Sequence, residues 1–312
     1  MQPRPFHGFL PAMNNHATGK DKWLGHLAML LFAVLIAGSF SIGDQAAPHI
    51  APAALNALRF FLAALMMGGI ACAVTGKVPG WPQSPWRFVI LGGLMAIYFV
   101  LMFVALRITG PVSTGAVFTL IPLMSAGFGW LFLRQKTRPV VMVSLLVAAA
   151  GAIWVIFRGD INAILGFEVG RGEAIFFIGC ACHAAYAPLV RKFNRGEPTV
   201  AYSFFTLAAV CIWVTLAGLP DIAATDWAGL PAIVWIAIAY LFIFTTALTF
   251  FLLQFAALRL PASKVLAYGY LTPAFVIVLE GLIGHGWVNA SVLAGALVTA
   301  GALLVLAFAP DG

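Results

Sequence analysis

Apolar side chains run along this sequence in ten long stretches bounded by charge, proline or glycine, at 24–43, 52–75, 86–105, 111–133, 139–157, 173–190, 200–219, 230–258, 261–283 and 287–309. A hydrocarbon core about 30 Å thick takes roughly 20 helical residues at 1.5 Å each, and the stretches are of that length. A segment in lipid must satisfy its own backbone hydrogen bonds, and spanning strands are only about 10 residues long, so all ten are predicted as helices. Pro52, Pro111 and Pro139 open three of them, at the turn where a missing N–H is harmless. The pattern predicts an all-α integral membrane protein of ten transmembrane helices. Its parts are a tail at 1–22, a first five-helix unit at 23–158, a connection at 159–171 and a second unit at 172–309.

Composition excludes a soluble fold: 9% of the 312 residues are charged and 62% hydrophobic, against about 25% and roughly 45 to 50% in soluble domains. The net charge of +7 does not point to nucleic acid, because the basic residues sit in short groups between apolar runs. They set orientation instead. Arg4, Lys20, Lys22, Lys77, Arg87, Arg134, Lys136, Arg138, Arg191, Lys192, Arg195, Arg259 and Lys264 fall on one side, and Arg107, Arg158 and Arg171 on the other. Cytoplasmic loops retain positive charge, which places both termini in the cytoplasm. Trp23, Trp81, Trp86, Trp227 and Trp287 mark span ends, as an interfacial aromatic belt requires. The first run is longer than the roughly 7 to 15 residues of a signal-peptide core and should stay in place as a span. Cys72, Cys180, Cys182 and Cys211 all fall inside apolar segments and read as small reduced side chains.

Two stretches share a pattern. Ala105-Leu106-Arg107 is followed by Pro122 after 15 residues and Gly151 after a further 29; Ala257-Leu258-Arg259 is followed by Pro273 after 14 and Gly301 after 28. This is a duplicated unit. Five spans per unit is an odd number, so the second copy enters the membrane in the opposite sense and the repeat is inverted, an arrangement used by carriers. Pro122 and Pro273 fall half-way through the fourth span of each unit, and prolines interrupting corresponding helices point to a central binding site. A packing kink unrelated to ligand is the other reading.

With this five-plus-five layout, Leu58-Arg59-Phe60 in the second span, the two Ala-Leu-Arg junctions and the mid-helix prolines, the chain resembles the drug/metabolite transporter superfamily, in particular proteins with two EamA domains. The resemblance runs from about Leu24 to Leu306. Within the superfamily it looks most like bacterial amino-acid exporters, which implies export of neutral, including aromatic, amino acids across the inner membrane. The chain has Leu133-Arg134-Gln135 and Gly284-His285-Gly286 where a common superfamily pattern has a Gly-Glu pair.

Two full charges lie well inside spans, Arg59 and Glu280, and intramembrane charge marks function by default. Both sit in the outer third, where they could pair as an outer gate, line a vestibule or snorkel to the interface. At mid-depth the one titratable acid–base group is His183, which fits a neutral or zwitterionic solute. Aromatic, sulfur and hydroxyl side chains recur there at helical spacing. The candidate cavity lining is Tyr98, Met102, Thr114, Phe118, Pro122, His183, Tyr186, Thr245, Tyr268, Thr272 and Pro273. Ordinary helix packing is the alternative, since such hydroxyls commonly bond across membrane helices. No metal site, cofactor or ATP-binding motif is read from the chain, and neither His-Glu-x-x-His nor Gly-x-Ser-x-Gly occurs, which argues against an enzyme. The expected partners are a small-molecule substrate and the lipid bilayer. A multidrug efflux carrier for lipophilic compounds is the alternative function; for cations it would want an acid near the midplane.

Overall fold

A computed structural model describes residues 20–134, 138–166, 169–257 and 268–308. Several sequence features lie outside the described residues: the tail up to residue 19, Gln135, Lys136, and Leu258, Arg259 and Lys264 around the second repeat junction. All regular structure among the described residues is helical, with no strand. In chain order they form α1 (Lys20–Ala46), α2 (Pro52–Thr75), α3 (Trp86–Leu106), α4 (Pro111–Phe118), α5 (Ile121–Leu133), α6 (Pro139–Ile156) and the short α7 (Ile161–Leu165). Then come α8 (Arg171–Phe193), α9 (Thr199–Ala217), the short α10 (Leu219–Ala224), α11 (Ala232–Phe242) and α12 (Thr249–Ala257), with a π-helical segment, Ile243–Leu248, between the last two. A 3₁₀ turn, Tyr268–Leu271, leads into α13 (Thr272–Ile283), and α14 (Ala290–Phe308) ends the described chain.

Seven helical runs among the described residues are long and apolar enough to cross a membrane, the last being Val200–Ala217, and three shorter apolar helices follow at Ala232–Leu248, Tyr268–Ile283 and Ala290–Ala302. Large apolar side chains face outward on these helices: Leu65, Leu146, Ile178, Leu216 and Leu297 are all exposed. Water would penalise such a surface and lipid does not. Inside, the contact positions are small; Ala33, Ala37, Ala54, Ala148, Ala184, Ala237 and Ala296 have no accessible surface. Small side chains let backbones approach, which is how helices hold together in lipid.

The fourth apolar run is broken. α4 stops at Phe118, Thr119 and Leu120 close tight turns onto Ala116 and Val117, and α5 restarts with Pro122 in its first turn. Pro122 has no N–H to give to the Phe118 carbonyl, which is the physical cause of the interruption. Pro273 occupies the same place in α13, directly after the 3₁₀ turn. The third long run of the second half carries the π segment, a feature the apolar pattern does not predict.

Exchanging the α1–α6 group for the α8–α14 group maps the main contacts between them onto themselves. α2 packs on α9, α4 on α13 and α6 on α14, while α3 on α8 is answered by α1 on α11 and α12, and α5 on α8 by α1 on α13. The α6–α14 contact brings two backbones close together. A Cβ on Gly151 would lie 2.8 Å from the Gly295 carbonyl oxygen, and one on Gly295 would lie 3.0 Å from the Gly151 carbonyl oxygen. Trp154 Nε1 adds a 2.9 Å bond to the Ser291 carbonyl. Gly301, which sequence spacing pairs with Gly151, has nothing near a would-be Cβ. Spacing alone does not reveal which glycine of an apolar helix faces its neighbour.

At one end of the bundle, buried Arg87 ties the start of α3 to the end of α8. Its guanidinium donates to the carbonyls of Gln83 and Phe193 and to the carboxylate of Glu197, which also accepts the Arg195 amide at 2.8 Å. Burial alone would raise the Glu197 carboxyl, but the Arg87 guanidinium and the Arg195 amide outweigh it and hold the group below its ordinary value.

Two outcomes follow for the purified protein. Gly151→Ala should lower thermal stability in detergent by about 1–3 kcal/mol, the usual cost of overpacking, whereas Gly301→Ala should leave the unfolding temperature unchanged. A folded Glu197 that ionises more readily than the unfolded one stabilises fully above its ordinary value of 4.5 and loses that contribution as pH falls below it. Glu197→Gln should therefore unfold at a lower temperature at pH 7 and flatten the acid limb of a stability profile; an unchanged limb would remove Glu197 from it.

Candidate functional site

A cavity of about 200 Å³ lies where α2, α3, α8, α9 and the π segment meet. Phe60 and Met67 reach it from α2, Met95 and Phe99 from α3, and Tyr186 from α8. Ser203, Thr206, Leu207 and Val210 form one stripe of α9 at i, i+3, i+4 and i+7, and Thr245, Thr246 and Thr249 come from the π segment and the start of α12. Apolar and aromatic walls with a few hydroxyls suit a small organic solute.

The π segment explains how two consecutive threonines serve one partner. The Thr245 and Thr246 hydroxyls both donate to the Leu241 carbonyl, at 2.9 and 3.0 Å, and both accept from Arg59 NH2, at 3.2 and 3.4 Å. Successive residues of an α-helix point about 100° apart; the extra residue in a π turn relaxes that separation.

Arg59 is 2% exposed and its guanidinium carbon lies 4.5 Å from the Phe99 ring centroid and 5.1 Å from that of Phe60. Thr245 stands in the middle of the helical run formed by α11, the π segment and α12. The guanidinium is thus carried to the centre of the bundle, whereas its sequence position suggests the outer third. Glu280 is elsewhere: its Oε2 is 2.8 Å from His285 Nδ1. Arg59 and Glu280 are not bonded to each other, so the outer-gate pairing of these two has no contact behind it. Depth read from a Cα misses the reach of a long side chain, and Glu280 finds its partner five residues away.

Beside the cavity lies an aromatic cluster that joins four of the sequence candidates. The His183 ring is 4.7 Å from Tyr98, 6.4 Å from Phe118 and 6.3 Å from Tyr186 between centroids. Phe40 extends it through Phe118 at 5.6 Å and Phe176 at 6.1 Å. The remaining candidates are placed differently. Of the eleven lining candidates, Tyr186 and Thr245 touch the cavity itself. Met102 is packed in the main core, and Thr114 turns its hydroxyl back to the Gly110 carbonyl at 2.7 Å. Tyr268 is drawn away by a 2.7 Å bond to His26. Thr272 is fully buried, with no partner for its hydroxyl among the described residues.

Pro122 and Pro273 mark where the two interrupted helices come together. A Cβ on Gly115 of α4 would lie 3.9 Å from Pro273 Cα and 3.3 Å from Val276 Cγ2, and one on Gly269 would lie 3.8 Å from the Phe118 ring. The carbonyls that Pro122 and Pro273 cannot serve belong to Phe118 and Gly269, so the residues left short of a helical donor are neighbours.

The EamA-like transporter family model matches this chain twice, over residues 23–157 and 170–308. An uncharacterized transporter of Bacillus subtilis, YyaM, is 24% identical over 280 residues, 89% of this chain and 92% of its own. The aromatic amino acid exporter YddG of Salmonella typhimurium is 26% identical over 160 residues, 47% of this chain and 54% of the exporter. A chain of known crystal structure superposes with a TM-score of 0.65 at 19% identity, covering 93% of this chain and 96% of its own, which shows a shared fold. Matched in both halves and built of apolar helices with a lipid-compatible surface, the chain belongs to the EamA-like transporter family.

Proposed function

We propose that this protein is a secondary carrier that exports neutral, including aromatic, amino acids or similar small metabolites across the bacterial inner membrane by alternating access. The observation that carries the reading is the meeting of two proline-interrupted helices, α4 against α13, linked through the Phe118, His183 and Tyr186 rings to a cavity with aromatic and hydroxyl walls. An aromatic cluster around His183 offers a surface for an apolar side chain. The contact set that survives exchange of the two halves supports ten spans built as two inverted five-helix repeats. In such a carrier the two units swap conformations and open one central site to either side in turn. The distribution of Lys and Arg supports cytoplasmic termini, and the partial similarity to an aromatic amino acid exporter supports the substrate class.

Transport should be measured in liposomes holding the purified protein, with labelled tryptophan, phenylalanine, threonine and methionine, a tetraphenylphosphonium cation alongside and an imposed pH gradient as a variable. Saturable movement of the amino acids without the cation is expected. Movement of the cation alone would replace the amino-acid reading with drug efflux. Orientation is checked in a cysteine-free background. Asn162→Cys should react with an impermeant maleimide added to whole cells, and Ser84→Cys should react only after the membrane is opened; the reverse pattern would turn the protein over.

A further inference from the structure

The carrier reading gives no task to Arg59, a cation buried at the centre of the bundle among the described residues. Arg59 is 2% exposed, and only its NH2 group finds acceptors, the neutral hydroxyls of Thr245 and Thr246. Nε and NH1, which carry three of its five N–H groups, have no acceptor among the described residues. None of the acidic side chains in the described residues forms an ion pair with it. Phe60 and Phe99 attract the charge through their ring faces and leave its donors unserved. Cation held away from water without counter-charge is costly, and intramembrane cations normally pair with a neighbouring acid or carbonyl. Four side chains touching this guanidinium, Phe60, Phe99, Thr245 and Thr246, also line the 200 Å³ cavity. Arg59 stands behind that lining, and the counter-charge it lacks is wanted on the cavity side of these four residues.

We propose that Arg59 is the anchor for a carboxylate on the transported solute, so that the site takes small monocarboxylates, amino acids among them, and discriminates against the corresponding esters and amines. This rests on the carrier reading above and narrows it. A guanidinium presents its donors as a planar fork that matches both oxygens of one carboxylate. Two threonines on one edge and a phenylalanine face fix the plane of that fork. Were Arg59 only a brace between α2 and the π segment, its chemistry would be indifferent to the charge of the solute.

The test uses the full-length protein in nanodiscs and four probes of similar size: phenylalanine, its methyl ester, phenethylamine and 3-phenylpropionate. Equilibrium binding to the wild type should be strong for the two acids and weak for the ester and the amine. Arg59→Gln should raise the Kd for both acids about 30-fold or more, the loss expected when a desolvated charge pair is broken, and Arg59→Lys should retain part of the affinity. Acid affinity unchanged in a folded Arg59→Gln, or an ester bound as tightly as the acid by the wild type, would overturn the proposal. The acid-to-ester comparison needs no variant and decides the matter if Arg59→Gln does not fold. Binding of 3-phenylpropionate without phenylalanine transport would keep the anchor and sink the amino-acid reading. Phenylalanine transport that the ester competes as well as the acid would do the opposite, and a wild type that binds none of the four probes would overturn both.

Discussion

Hydrocarbon offers no hydrogen bonds, so a chain that lives in it can interrupt a helix only where other protein covers the break. Three irregular segments among the described residues obey that constraint. The α4–α5 break centres on Thr119, 1% exposed; the 3₁₀ turn before α13 contains Tyr270, fully buried; and the π segment buries Thr245. Each break is placed where helices from the other group cross it. Polar backbone thus collects in the interior, and the same rule that fixes the fold leaves unusual chemistry at its centre.

The hydroxyls that accompany these breaks are mostly self-contained. Thr114 and Thr119 each donate to a carbonyl three or four residues earlier in the chain, as Thr206 does on α9, a habit that satisfies the group without tying helices together. Cohesion comes instead from close approach at small residues, as at Gly151 and Gly295, where van der Waals contact replaces the hydrophobic drive that lipid removes. A bundle held this way can carry lone lining hydroxyls at little risk to its stability.

How much of this could be read in advance depends on range. The helical runs are legible because a fixed lipid thickness demands a fixed apolar length, and the break in the fourth run is legible because Pro122 and Pro273 announce it. The π segment is invisible, since one extra residue in an apolar helix leaves no compositional mark. Tyr98, Phe118, His183 and Tyr186 converge because i, i+3 and i, i+4 spacing identifies a shared face. Tyr268 shares that signature and packs elsewhere, and Met102 packs in the same core as Tyr98 without reaching the cavity, for spacing does not say which neighbour a face meets. The stripe Ser203, Thr206, Leu207 and Val210 carried the signal and needed the fold to give it meaning. Arg59 was legible as a residue and misplaced as a charge, because its side chain spans the difference between the outer third and the centre.

The frame of the molecule is two-fold while its chemistry is single. α9 stands where α2 would fall if the halves were exchanged, yet α9 contains neither Arg nor Lys, and α3 has no π segment to match the one between α11 and α12. A frame that looks alike from both faces favours neither of them. In a carrier of the proposed kind, a guanidinium on one side of the axis makes the two routes out of the centre chemically different, which gives a preference for direction a place to be written.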